Sequence, residues 1–179
     1  MNRFLFLIGY RGSGKTTAGR LVAARLGCPF IDADEKLERD SGRPIRKIFA
    51  TEGEPKFRDL ESAVLAEVCA GPACLVSTGG GVVLRKANRE LMARHGFIVW
   101  LSADADTLWE RIQSDATTAD RRPALAGGGL AEVEALLAVR APLYRACADV
   151  EIPVTGLSPE VVADAILAAW NSHSPKLSG

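Results

Sequence analysis

Apolar residues fall along this chain in two kinds of block, and the two kinds alternate. Short, mainly apolar runs occur at Phe4–Ile8, 28–31, Leu75–Ser77, 97–101 and 150–154. Strands buried on both faces of a parallel sheet read this way, because helices cover both sides. Between them, apolar residues recur at three- and four-residue spacing. Ala18, Leu21, Val22 and Leu26 mark a helix stopped by Gly27. A short helix is predicted over 35–40, then a pair: one carries Ile45, Ile48 and Phe49 and ends at Gly53, the other runs from 55 to about 69. Helices over 86–95, 104–112 and 130–145 follow. The last opens with Ser158 as N-cap and Pro159 at the first helical position, and continues through Val162, Ile166 and Trp170. Five strands alternating with helices predict an α/β fold, a three-layer α/β/α sandwich around a five-stranded parallel sheet.

The places where the pattern breaks are informative. Between 114 and 129 periodicity vanishes, leaving Asp115, Thr117, Thr118, Asp120, Arg121, Arg122 and Pro123 before a glycine triplet at 127–129. Such a stretch is either a solvated connection or a functional lid, and adjacent arginines suit the charge that develops on a transferred phosphoryl group. On two helices a charge interrupts the apolar stripe. Arg58 and Glu61 sit among Phe57, Leu60, Val64 and Val68, and Arg140 sits among Val133, Leu136, Leu137 and Tyr144, with Pro142 bending that helix near its end. Arg58 and Glu61 form either a surface ion pair of little worth or a device in which Glu61 aims Arg58 at a substrate carboxylate. A buried Arg140 needs a carboxylate, from the protein or from a ligand.

Composition narrows the classes. Lys plus Arg and Asp plus Glu are both 22 in 179 residues, so no global field favours nucleic acid or an anionic membrane. The first apolar run is too short, and wrongly flanked, for a signal peptide or a membrane span. Cys28, Cys69, Cys74 and Cys147 lack CxxC spacing and read as buried thiols rather than a zinc site or disulfides. Without repeats or linkers, residues 1–170 are expected to form one domain, followed by an unstructured tail at 171–179. The expectation is a cytoplasmic monomer with small-molecule partners, no nucleic acid and no membrane.

The chemistry concentrates where the first strand ends. Gly9, Tyr10, Arg11, Gly12, Ser13, Gly14, Lys15 and Thr16 form a P-loop. Its glycines let backbone N–H groups converge on phosphates at a helix N-terminus. Lys15 reaches the β and γ phosphates, and the Thr16 hydroxyl suits Mg²⁺. The second strand delivers Asp32 and Asp34 to the carboxyl edge of the sheet, where ligands bind. If the segment stays extended, both carboxylates share one side, one toward a metal and one toward a substrate hydroxyl; alternatively Asp34 caps the next helix. Gly79, Gly80 and Gly81 follow the third strand, as a close approach to ligand or as a relaxed turn.

These motifs together resemble the shikimate kinase family of P-loop kinases. The resemblance spans the ordered chain and rests on Gly9 to Thr16, Asp32-Ala-Asp34, Phe57-Arg58-Asp59-Leu60-Glu61, Gly79 to Gly81, Arg122-Pro123 and Arg140-Ala-Pro-Leu-Tyr144. It implies transfer of the ATP γ-phosphoryl group to the 3-hydroxyl of shikimate, on the route to chorismate and the aromatic amino acids, with a substrate-binding helical segment at about 33–61 and a mobile lid at about 114–129. By similarity, Arg58 and Arg140 bind the substrate carboxylate, Gly80 offers backbone, and Asp34 holds the ring hydroxyls and accepts the attacking proton. Thr16 and Asp32 support Mg²⁺. Gly12, Ser13, Gly14, Lys15, Thr16, Thr17 and Arg122 hold the phosphates, with Lys15 and Arg122 catalytic beside Asp34. Arg111 stacks on adenine opposite the Thr155 region. Ala124 stands where the family's lid carries leucine, a departure that touches closure rather than chemistry. A gluconate-type kinase of the same fold would lack the paired arginines, and a non-catalytic nucleotide-binding regulator would have lost Lys15, Asp34 or Arg122.

Overall fold

In the computed structural model, residues 3–114 and 129–173 are described. Five parallel strands, β1 (Phe4–Ile8), β2 (Phe30–Asp32), β3 (Leu75–Ser77), β4 (Gly96–Ser102) and β5 (Val150–Pro153), lie in the order β2-β3-β1-β4-β5. Among the described residues seven α-helices join them: α1 (Lys15–Leu26), α2 (Ala33–Ser41), α3 (Ile45–Ala70), α4 (Lys86–His95), α5 (Ala105–Ser114), α6 (Leu130–Cys147) and α7 (Pro159–His173). β1 is central, pairing with β3 from Leu5↔Leu75 to Leu7↔Ser77 and with β4 from Phe4↔Gly96 to Ile8↔Trp100.

The two-residue period of a strand then divides the protein into two cores. Phe4, Phe6 and Ile8 point to one face, where Phe57, Val64, Leu65, Met92 and Tyr144 cover them. Leu5 and Leu7 point to the other, beneath Ala18 and Val22 of α1 and Val162, Ile166 and Trp170 of α7. This is the three-layer arrangement expected. A third, smaller cluster joins Tyr10 to Leu108, Ile112 and Val133, tying the loop after β1 to α5 and α6.

The helical pair is as predicted: α3 consists of two helices that meet at a kink at Gly53, whose φ of 77° and ψ of 176° are non-helical. A positive φ is open to glycine at little cost, and Pro55 restarts the helix. Several boundaries differ from expectation, each for a local reason. The terminal helix continues past Trp170 to His173, so of the expected tail only 174–179 lie outside the described residues. Its start is as predicted, with the Ser158 Oγ accepting from the Val161 N–H at 3.4 Å. α5 begins at Ala105 because Asp104 is its cap, accepting from the Thr107 N–H at 2.7 Å. The reading of 32–34 as extended is corrected. Helix α2 starts at Ala33, and Asp32, not Asp34, caps it, accepting from the N–H groups of Asp34 and Glu35 at 3.0 and 3.1 Å.

Candidate functional site

The loop between β1 and α1 lies over the carboxyl edge of the sheet and floors a cavity of about 400 Å³. Gly9, at φ 143°, fits because a Cβ there would come 2.5 Å from the Leu101 carbonyl oxygen. Gly14 starts α1 and supplies no side-chain cap. The first N–H groups of that helix therefore face the cavity without an intrahelical acceptor, which makes them an anion site. Lys15 is buried, its ammonium donating to the carbonyls of Gly9 and Tyr10 at 2.9 and 2.8 Å and to Ser13 Oγ at 3.3 Å.

The cavity runs from an apolar end to a polar one. At one end stand Arg111, Leu157, Pro159 and Val162; the middle is Gly12, Ser13, Gly14, Lys15, Thr16 and Thr17; the other end holds Asp32, Asp34, Ser77, Thr78 and Gly80. The Thr16 hydroxyl donates to Asp32 Oδ2 at 2.6 Å and lies 3.3 Å from Ser77 Oγ. A carboxylate and two hydroxyls gathered in this way would suit Mg²⁺, a hard cation that prefers oxygen donors. The Arg111 guanidinium is held flat between the carbonyls of Val154, at 3.1 Å, and Gly12, at 3.5 Å.

Arg58 and Arg140 are absent from that wall and are 6% and 5% exposed. Arg58 Nη1 donates to Glu61 at 2.8 Å, so the pair is buried rather than a surface bridge. Its Nε and Nη2 both donate to Glu54, at 3.1 and 2.8 Å. The guanidinium presses on Gly81, where a Cβ would lie 2.1 Å from Nη1. Arg140 lies over the Tyr10 ring, 5.5 Å from its centroid. One turn later on α6, the Tyr144 hydroxyl donates to the Gly80 carbonyl. Arg58 thus packs on the turn that presents Gly80 to the cavity, and the helix that carries Arg140 holds the same turn through Tyr144.

Ten predicted positions meet at one cavity: Gly12 through Thr17, Asp32, Asp34, Gly80 and Arg111. Thr155 does not join them. Its hydroxyl donates to Asp104 at 2.7 Å, and Leu157 and Pro159 form the wall instead. Arg122 and residues 115–128 of the lid expected at about 114–129 lie outside the described residues. Sequence reasoning missed Glu54, although it stands four residues before Arg58 on one helix face. It placed Tyr144 on the inward face of its helix but not its bond to Gly80, and it missed Ser77 and the 3%-exposed Glu132, neither of which carries a local signal. The four cysteines are free; Cys69 and Cys74 are buried as expected, Cys28 and Cys147 only half-buried, and burial pushes the thiols of Cys69, Cys74 and Cys147 up to about 11. Among the described residues no helix is long and apolar enough to cross a membrane.

Comparison with known proteins agrees with this geometry. The family model for shikimate kinase matches residues 11–171. A shikimate kinase of Gloeobacter violaceus is 49% identical over 164 residues, covering 90% of this chain and 89% of the relative. One from Rhodopirellula baltica is 43% identical over 166 residues, covering 92% and 89%. The solved structure of shikimate kinase from Acinetobacter baumannii in complex with shikimate superposes with a TM-score of 0.90 at 34% identity, over 97% of this chain and 96% of that one. With its P-loop cavity and with Arg58 packed on its glycine turn, the chain belongs to the shikimate kinase family.

Proposed function

We propose that this chain transfers the γ-phosphoryl group of MgATP to the 3-hydroxyl of shikimate, releasing ADP and shikimate 3-phosphate. One observation carries the reading: two nine-tenths-buried arginines stand at the acceptor end of a phosphate-binding cavity, Arg58 pressed on Gly81 of the glycine turn and Arg140 over the ring of Tyr10, whose Cα would lie 3.6 Å from a Cβ on Gly80. A neutral polyol gives no reason to bury them, whereas a carboxylate on the acceptor does. Glu61 is buried and stays with Arg58. Glu54, 44% exposed at its side chain, is the partner that a substrate carboxylate displaces, taking over the fork of Nε and Nη2. Arg140 supplies the second charge.

At the other end, adenine lies against the flat Arg111 guanidinium with Leu157 and Pro159 opposite. The uncapped turn of α1 and Lys15 take the phosphates. Lys15 exchanges the carbonyls it holds for phosphate oxygens. Thr16 and Asp32 would hold Mg²⁺, which neutralises charge on the β and γ phosphates when bound. Asp34 accepts the proton of the attacking hydroxyl as the new P–O bond forms and the bond to the β,γ-bridging oxygen breaks, the electron pair leaving with ADP. Arg122, assigned by resemblance, assists Lys15. In this reading residues 1–170 act as one kinase domain with 33–61 as the acceptor segment. The protein works as a monomer in the cytoplasm, where its four free thiols stay reduced.

The test is ADP release from MgATP with shikimate, run beside quinate, gluconate, a nucleoside monophosphate and no acceptor. Turnover dependent on shikimate is the expected result. Turnover with another acceptor, or none despite ATP binding, overturns the substrate assignment.

A further inference from the structure

The phosphate loop carries a second cation that the roles above do not use. Arg11 stands between Tyr10 and Gly12 and lines the cavity, its side chain 18% exposed. It sits at the seam between the two halves of the site: a Cβ on Gly80 would come 3.4 Å from the Arg11 amide nitrogen. A phosphoryl group passing from nucleotide to acceptor crosses this seam. The hydrogen bonding of Arg11 is incomplete. Nη2 reaches Glu132 Oε1 only at 3.5 Å, and among the described residues the buried Nε has no hydrogen-bond partner. Glu132 lies in the first turn of α6, its side chain 1% exposed. The guanidinium also lies 6.0 Å from the centroid of the Tyr10 ring, the ring that Arg140 covers at 5.5 Å.

A guanidinium with donors to spare beside an anion cavity is poised for partner exchange. We propose that Arg11 is a further phosphate-binding residue, which contacts the terminal phosphate of ATP at the donor–acceptor seam and rests on Glu132 when the nucleotide is absent. A cation there stabilises the charge on the equatorial oxygens of the group in flight, from the same loop that holds Lys15. Glu132 then competes with ATP for Arg11 instead of merely bracing the loop.

The proposal rests on the kinase reading, but its test needs no acceptor. ATP and ADP affinities are measured by equilibrium titration, with Mg²⁺ and without shikimate, for the parent protein and for Arg11→Met, Arg11→Lys and Glu132→Gln, each checked for a cooperative melt. Loss of one charge-assisted hydrogen bond is worth about tenfold in affinity. Arg11→Met is expected to weaken ATP about tenfold relative to ADP, and Arg11→Lys to recover part of the ATP preference. Glu132→Gln is expected to hold or raise that preference, because it removes the competitor. An unchanged ATP-to-ADP ratio in Arg11→Met overturns the proposal. So does a ratio that falls in Glu132→Gln, since the pair is then a brace. Failure of the shikimate assay with this titration as expected would remove the acceptor assignment and leave Arg11 in place.

Discussion

Replacing Gly81 by alanine tests the acceptor end of the site through a residue that touches no ligand in the proposed mechanism. The φ of Gly81, −103°, is ordinary for any L-residue, so the backbone is unstrained by the change. The cost is steric. The added Cβ would lie 2.1 Å from Arg58 Nη1, 2.4 Å from its Cζ and 2.5 Å from Nη2. To regain van der Waals separation the guanidinium must retreat by roughly 1.3 Å. It has little room, being pinned by Glu61 and Glu54 with a side chain only 7% exposed. A shift of that size takes at least one of the 2.8 Å bonds beyond hydrogen-bonding range. Hydrogen bonds to charged groups contribute about 1.5–3 kcal/mol each, so Gly81→Ala should destabilise by about 2 kcal/mol and lower the Tm by roughly 4–8 °C. The displaced fork should raise the KM for shikimate about tenfold or more while the KM for ATP stays within about twofold. Neighbouring Gly80 is the control for stability. A Cβ there meets nothing closer than 3.4 Å, so Gly80→Ala should stay within about 1 kcal/mol of the parent. Thermal melts and steady-state kinetics at two saturating co-substrate levels suffice. A Gly81→Ala protein that melts with the parent and keeps its shikimate KM would refute the packing of Arg58 on this turn.

Three further outcomes are expected. Asp34→Asn should cut kcat by about a hundredfold or more with ATP affinity nearly intact, as general-base loss does; normal turnover would reassign the base. Arg58→Ala and Arg140→Ala should each raise the shikimate KM far more than the ATP KM, and equal effects on both would mark the arginines as structural. Asp104 is held down to about 2 by the Thr155 hydroxyl first and then the Thr107 N–H. Because its folded value lies below the ordinary one near 3.8, its contribution is present above that pH and lost as pH falls toward 2. Asp104→Asn should therefore be less stable than the parent near neutral pH, by about 1 kcal/mol or less for an exposed cap, with the gap closing below pH 3 in melts across that range.

Much of the site was legible because its parts are local. The P-loop is contiguous, so Gly12 through Thr17 had to share one concavity once β1 and α1 formed. Arg58 and Glu61 are three apart on one helix, and their buried pairing at 2.8 Å follows from helical geometry. The Asp32 and Asp34 reading failed where two local rules compete. Alternation in a strand placed both carboxylates on one side, but a helix starting at Ala33 turned Asp32 into its cap. Thr155 itself stays off the cavity wall for a different reason: its hydroxyl has a nearer partner, Asp104, fifty-one residues away in the chain, while Leu157 and Pro159 of the same region form the wall.

By itself, then, the chain's order of residues determined the alternation of strands and helices, the phosphate loop and the need for a carboxylate near Arg140 on its apolar helix face. Periodicity and contiguous motifs encode these within a few turns of backbone. Only the tertiary structure decided that Gly81 is the seat of Arg58, that Tyr144 holds the Gly80 carbonyl, and that Glu132 faces Arg11 across 121 residues. Each depends on which helix lies over which strand end, set by how β1 divides its side chains between two cores. Contacts of that kind leave no spacing in the sequence to read.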